Sequence, residues 1–378
     1  MNTPTLVSWE QDGQTRTALW SSSNGAKPPA RIVPVDDTLT ADEAHRMAAQ
    51  GVGMLWTGDY HNARQLLSAM GRRAPDAGKP KRKAAAATTA ERFYKYRQAR
   101  TQRSRMLSML LVPVEPGPAV ALRRAPDVAE AWVNAFGEVE EPTLVTLQEL
   151  LGASGAQQWR STGLHVPALG AKIHPHYGTF APVRGEYLDL VAEAELPGTD
   201  RAFDIGTGTG VLAAILAKRG VKEVVGTDSQ ARAIECATAT FAELGLADRA
   251  TAIVCDMFPE GRASLVVCNL PWLPGTPQTL LDYAVYDPKS RMLREFLNGL
   301  PGHLSPGGEG WLVISDLAER LGLRSREELL GWIDAAGLEV AGRSETVPTH
   351  GRSADTSDPF HAERSSEITS LWKLRVRS

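Results

Sequence analysis

The sequence predicts an α/β fold: a parallel sheet with crossover helices over the C-terminal half, preceded by a smaller, mostly helical α/β domain. Three observations predict it. First, short apolar runs alternate with helical stretches from about residue 196, at 201–205, 223–227, 251–255, 264–268, 311–315, 338–341 and 371–376. Strands separated by helix-length segments pair in parallel, because a parallel crossover needs a dozen or more residues. Second, 378 residues are enough for two domains of ordinary size. Third, 43% hydrophobic and 22% charged residues support normal cores and argue against wholesale disorder.

The N-terminal elements read as follows. Apolar stretches at 7–9 and 15–20 flank Asp12-Gly13, a hairpin turn. Residues 21–34 are rich in Gly, Ser and Pro and read as loop. Thr40 and Glu43 form a capping box that opens a helix to about Gln50. A short strand fits 53–56 and helices fit 60–70, 91–111, 127–136 and 143–151, with an exposed Lys/Arg/Pro/Ala-rich insertion at 72–89. The boundary between the domains is placed at 150 and 151. At the other end, 338–341 and 371–376 have no helix-length segment between them, so they are expected to pair antiparallel at one edge.

Net charge is only −3, but it is unevenly distributed. Residues 72–105 hold twelve Lys/Arg against Asp76 and Glu91, a local +10, which leaves −13 for the rest. No apolar run approaches the roughly 20 residues that span a bilayer. Glu10 and Asp12 and the lack of an apolar core at the N-terminus argue against a signal peptide. Three cysteines, Cys236, Cys255 and Cys268, show no C-x-x-C spacing and suit a reducing compartment, so a cytoplasmic protein is expected.

The strongest motif is Asp204-Ile-Gly206-Thr207-Gly208-Thr-Gly210, between an expected strand and an Ala/Leu-rich helix. Glycines let the backbone approach a ligand closely, and the helix start offers free N–H groups. A dinucleotide fingerprint needs Gly or Ala at position 211, where Val211 stands. The G-x-G-x-G form with an acid two residues ahead resembles motif I of class I S-adenosylmethionine-dependent methyltransferases. Asp228 and Asp256 follow at the ends of the next two strands. Ligands of open α/β sheets sit at those strand ends, and a carboxylate about 20 residues on can accept both ribose hydroxyls. The resemblance implies a Rossmann-like seven-stranded domain, S-adenosylmethionine as cofactor, and Asp256 and Met257 at the adenine.

At the end of the fourth run stands Asn269-Leu270-Pro271-Trp272. It resembles the Asn/Asp-Pro-Pro-Tyr/Phe motif IV of amino-group methyltransferases. In-line displacement from a sulfonium needs a nitrogen lone pair, which amides and exocyclic amines delocalise. The Asn269 side-chain oxygen and the Leu270 carbonyl can accept the two N–H bonds and hold the nitrogen for attack. Trp272 would stack on the planar target. Leu270 replaces the usual first proline, which keeps the carbonyl and reduces rigidity; Asn-Leu-Pro-aromatic resembles the version in ribosomal RNA adenine dimethyltransferases.

The segment 172–191 resembles the Gly-x-x-x-Pro-Arg-x-Glu region of release-factor glutamine methyltransferases, which implies Phe180 and Pro182 over the methionine end of the cofactor. Glu186 reads equally as a helix-start acid. His174 and His176 lack a third ligand at suitable spacing, so no metal is expected. Residues 304–314 resemble the turn into the fifth strand of many class I methyltransferases.

Phe93, Tyr94 and Tyr96 lie within the basic stretch 72–105, a composition that suits RNA or a ribosomal particle and equally a solvated helix face. The sequence therefore predicts an N-methyltransferase in 151–378 and a recognition domain in 1–150. The favoured acceptor is a base of ribosomal RNA. The alternatives are a glutamine of a release factor or ribosomal protein, a small molecule, and a catalytically silent RNA-binding relative.

Overall fold

The computed structural model describes residues 5–73, 88–183, 185–348 and 355–377. Its chain divides into two units within one helix, after Gln158, with 88–90 grouped with the second unit.

The first unit contains β1 (Thr5–Gln11), β2 (Gln14–Trp20), β3 (Arg31–Val35), α1 (Ala41–Ala49), β4 (Val52–Trp56), α2 (Tyr60–Arg73), most of α3 (Thr89–Leu107), β5 (Leu110–Val114), α4 (Ala129–Phe136), β6 (Thr143–Thr146) and most of α5 (Leu147–Thr162). The β1–β2 hairpin turns at Asp12 and Gly13, both at positive φ, as a two-residue hairpin loop requires. The Thr40–Glu43 capping box opens α1.

A mixed six-stranded sheet in the order β1-β2-β6-β5-β4-β3 forms the middle of this unit. The expectation of a mostly helical domain is corrected here. Residues 31–35, 110–114 and 143–146 are strands, where the sequence predicts loop to 34, helix to 111 and a helix from 143. Pro34 suggested a loop, yet β3 is an edge strand, where proline is tolerated. Leu110, Leu111 and Val112 are fully buried against β4 and β6, and that burial overrides the helical pattern running up to them.

The second unit begins with the hairpin β7 (Leu164–Val166) and β8 (Ala171–Ile173), then α6 (Glu186–Glu193). The alternating run follows: β9 (Arg201–Ile205), α7 (Val211–Lys218), β10 (Glu223–Asp228), α8 (Ala231–Glu243), β11 (Ala250–Val254) and β12 (Ala263–Asn269). A short pair, β13 (Leu273–Pro274) and β14 (Tyr286–Asp287), leads to α9 (Arg291–His303), β15 (Leu304–Ser315), α10 (Leu317–Arg320), α11 (Arg326–Ala335), β16 (Leu338–Thr346), α12 (His361–Ser365) and β17 (Thr369–Val376).

These strands form a seven-stranded sheet in the order β11-β10-β9-β12-β15-β17-β16. β17 enters antiparallel between β15 and β16, so the antiparallel edge expected from the missing crossover is present.

Alternation assigns the two faces of the sheet. Ala202, Leu265, Val267 and Val313 pack with Tyr187 and Val191 of α6 and the buried length of α7. Phe203, Ile205, Val266 and Cys268 pack with Leu293, Phe296 and Leu300 of α9. Chain order reverses between β9 and β12, so their C-terminal ends frame the crevice where open α/β sheets bind ligands.

Candidate active site

The glycine loop leaves β9 at this crevice. Gly206, Gly208 and Gly210 all have positive φ. A Cβ at Gly206 would stand 3.0 Å from the Met292 methyl, and one at Gly210 would stand 2.7 Å from the Phe241 ring. Gly210 is thus demanded by packing on α8, whereas Gly206 keeps the loop surface clear. Thr207 is turned inward: its N–H donates to the Thr227 carbonyl and its hydroxyl to Asp204. Gly226 on β10 makes room for it, since a Cβ there would lie 2.7 Å from the Thr207 oxygen.

Asp204 and Thr207 therefore shape the loop from beneath. Asp204 is 1% exposed, and one carboxylate oxygen accepts from the Thr207 hydroxyl at 2.7 Å and from the Ala213 N–H at 3.1 Å. Burial pushes its carboxyl up to about 6, against the pull of those two bonds. Both residues were expected to contact the cofactor. Their side chains are hydrogen-bonded within the loop, the Thr207 N–H donates to the Thr227 carbonyl, and the Thr207 carbonyl accepts from the Gly210 N–H.

Asp228 caps the end of β10. Its oxygens accept from the N–H groups of Gly208 at 3.2 Å and Gln230 at 2.9 Å, and burial raises its pKa. A carboxylate offers about four lone-pair sites, so two backbone bonds leave capacity for vicinal hydroxyls. Met257 adopts a left-handed backbone at φ 79°, its carbonyl takes the Thr227 hydroxyl, and its side chain packs on the α9-side core. Asp256 is exposed and paired with Arg291 at 3.4 Å. Arg291 and Met292 begin α9 after two consecutive left-handed residues, Lys289 and Ser290, with Asp287 accepting from the N–H groups of Met292 and Leu293. Nothing in the local sequence of 289–292 signalled that this turn would meet the glycine loop.

Residues 176–179 lie on α8: the His176 N–H meets Cys236 Sγ, and Arg232 reaches the Tyr177 carbonyl. Phe180 is 37% exposed and Pro182 buried, on the stretch leading to α6. His174 Nδ1 sits 2.6 Å from the Arg160 carbonyl, and burial pushes His176 down to about 4. Among the described residues no group of three His, Cys, Asp or Glu could hold a metal.

Asn269 ends β12. Its Oδ1 accepts from the Trp272 indole N–H at 3.0 Å. Leu270 is buried, which leaves its carbonyl as the group of chemical interest, and Pro271 is buried beside it. Trp272 packs partly against both sheet-face cores. Its indole nitrogen is tethered to Asn269 at the end of β12. Tyr187, on α6, is buried on the sheet face from which Asn269 projects and was missed at the sequence level. A lone tyrosine on a helix carries no spacing signal.

A glycine surface cleared at Gly206, a half-used carboxylate at Asp228 and an acceptor-bearing side chain at Asn269 converge on one crevice. That set fits a nucleoside bearing vicinal hydroxyls, with a reacting group toward Asn269. Residues 189–323 match the model of the methyltransferase small domain. The Pelotomaculum thermopropionicum ribosomal protein L11 methyltransferase is 28% identical over 250 residues, 65% of this chain and 72% of that protein. The Bradyrhizobium diazoefficiens release factor glutamine methyltransferase is 35% identical over 106 residues, 27% of this chain and 36% of that one. A solved ribosomal protein L11 methylase from Lactobacillus delbrueckii subsp. bulgaricus superposes with a TM-score of 0.36 at 17% identity, covering 53% of this chain and 82% of that one.

The second unit is a class I S-adenosylmethionine-dependent methyltransferase domain. Within it, residues 189–323 match the methyltransferase small domain, and S-adenosylmethionine is its cofactor. Among the described residues no helix is long and apolar enough to cross a membrane.

Proposed function

We propose that this protein methylates a planar amide or amino nitrogen on a protein of the translation apparatus, a ribosomal protein or a release factor. The observation that carries this reading is the Asn269 Oδ1, held by Trp272 at the end of β12 beside the glycine loop. The names of the two relatives above support a protein acceptor. They give no support to a ribosomal RNA base, the acceptor favoured from sequence, so the protein reading replaces it. The N-terminal unit is proposed to recognise the acceptor.

S-adenosylmethionine supplies an electrophilic methyl group on a sulfonium. In this proposal the loop backbone at Gly206 and the remaining capacity of the Asp228 carboxylate hold the nucleoside, and Asp256 and Met257 bound the adenine. The remaining lone pair of Asn269 Oδ1 and the Leu270 carbonyl accept the two N–H bonds of the acceptor nitrogen. Accepting both draws that nitrogen toward a pyramidal shape and frees its lone pair along the line of attack. The donor is already cationic, so no strong base is needed, and the spent proton leaves to water.

Purified protein with labelled S-adenosylmethionine and bacterial cell extract tests this. Label lost to protease and surviving RNase is the expected result. Label lost to RNase and surviving protease would overturn the protein reading.

A further inference from the structure

We propose that the loop 275–285, together with Phe180, is the docking surface for an apolar segment of the acceptor protein, the segment that flanks the target nitrogen. This rests on the reading of the acceptor as a protein that brings its nitrogen to Asn269.

Both ends of the loop are pinned beside the site. The Leu273 N–H donates to the Val285 carbonyl and the Gly275 N–H to the Asp287 carbonyl, so the chain leaves and returns next to Asn269-Leu270-Pro271-Trp272. The far end of the loop reaches Gly178. A Cβ on Gly178, at φ 77°, would stand 2.9 Å from a Leu280 methyl and 2.8 Å from Arg232 Nη1. Residues 176 and 177 are held on the first two turns of α8, through Cys236 and Arg232, and α8 follows β10. Strand order puts β9 and its glycine loop between β10 and β12. The Leu280–Gly178 contact therefore joins the two banks of the crevice, and a molecule that brings a nitrogen to Asn269 meets this arch.

The loop is built with polar groups inward and apolar groups outward. Asp282 Oδ2 accepts the Gln278 N–H at 3.0 Å, and the Asp282 N–H donates to the Thr279 carbonyl at 3.1 Å. The Tyr283 and Val285 N–H groups donate to the Leu280 and Asp282 carbonyls. These bonds hold a short 3-10 turn, Leu281–Ala284, that leaves Leu281 50% and Tyr283 57% exposed. Phe180, two residues beyond Gly178, is exposed as well. Single apolar side chains are ordinary on a protein surface. Three of them on two segments that touch, at the mouth of a crevice, mark an interaction surface.

Charge decides the partner. The loop 275–285 holds no Lys or Arg and one acid, Asp282. A phosphate backbone is held mainly by cations, so this surface fits an apolar protein segment and not a nucleic acid.

The test is labelled methyl transfer to an RNase-treated bacterial protein extract, read as initial rate against the amount of extract. In the chain carrying Leu281→Ser and Tyr283→Ser, the half-saturating amount is expected to rise about 10-fold, with the rate at saturation within about 2-fold of native, the pattern of binding lost equally from ground and transition states. Both side chains are exposed, so the melting midpoint and the S-adenosylmethionine affinity by calorimetry are expected to stay native. Leu281→Met with Tyr283→Phe keeps the apolar surface and is expected within about 2-fold of native. Leu330→Ser with Val340→Ser removes exposed apolar groups from α11 and β16 instead, and is expected to leave the half-saturating amount unchanged.

An unchanged half-saturating amount in the Leu281/Tyr283 serine pair would overturn the proposal. So would an equal rise in the Leu330/Val340 pair, or a loss in the Met/Phe pair as large as in the serine pair. Failure of the functional reading looks different: the native chain then transfers no label to protein, whatever stands at 281 and 283.

Discussion

Asp59 in the N-terminal unit and Asp204 in the catalytic unit are both shut off from solvent, yet their carboxyls shift in opposite directions. Asp59 faces Arg124 at 2.6 Å and Arg123 at 3.0 Å, and the Arg124 hydrogen bond holds it below the ordinary range. Asp204 faces a hydroxyl and a backbone N–H, and burial pushes it up to about 6. Burial penalises either charge; a charged donor reverses the outcome and neutral donors only reduce it. The difference also separates their tasks. Asp59 fixes two exposed arginines on a surface, with Arg124 held at φ 58°, while Asp204 shapes a loop that must meet a ligand.

The largest expected effect contrasts the chemistry of the two units. Asn269→Ala should lower methyl transfer by about 100-fold or more, the scale of losing one transition-state hydrogen bond, with cofactor affinity unchanged by calorimetry. Asp59→Asn should leave cofactor affinity and kcat unaltered. A large drop in kcat from Asp59→Asn would break the division of labour.

Next comes packing. Gly210→Ala places a methyl 2.7 Å from the Phe241 ring at φ 77°, and should cost about 2–4 kcal/mol in urea unfolding from overpacking and the left-handed backbone. Gly117→Ala, at the similar φ of 77° with nothing within 4 Å, should cost only the backbone part, about 1–2 kcal/mol. Equal costs would mean that Phe241 yields.

The third prediction uses pH. Asp204 has a folded value of about 6 against an ordinary 3.8, so between these the native state holds more protons than the unfolded chain. Its contribution is most favourable below the lower value and declines as pH rises through the window. Asp204→Asn keeps an oxygen for Thr207 and Ala213. It should be more stable than the native chain by about 1–3 kcal/mol at pH 7, with the gain gone by pH 4. His176, pushed down to about 4, acts in the opposite sense over the same window, so the variant-minus-native difference is the quantity to measure. Asp59 predicts the reverse sign: its lowered carboxyl stabilises above the ordinary range and loses this as pH falls. Asp59→Asn should therefore destabilise at pH 7 and converge on the native chain in acid. A shift of the same sign at both sites would refute the comparison.

The smallest effect is at Asp256. Its partner Arg291 is about half exposed, and such pairs contribute about 0–1 kcal/mol. Arg291→Ala should leave the melting midpoint within error, and a large loss would show that the pair closes the site.

Much of the catalytic unit was legible in the sequence. The alternating apolar runs located its strands, and the gap between 341 and 371, lacking a helical pattern, anticipated the antiparallel edge. The N-terminal sheet was harder to read. The β5 and β6 strands continue directly from or into helices, so local pattern alone extends the helix through residues that burial turns into strand.

Motif spacing by itself determined that the glycine loop, Asp228 and Asn269 stand at the ends of neighbouring strands, because glycines and strand-end residues are set by backbone geometry that the motif records. What only the tertiary structure decided is which way each side chain faces. Asp204 points under the loop, Trp272 is bonded to Asn269, and Tyr187 packs onto the sheet from α6. Orientation depends on the partners packed around a group, and those partners come from strands and helices that no local window contains.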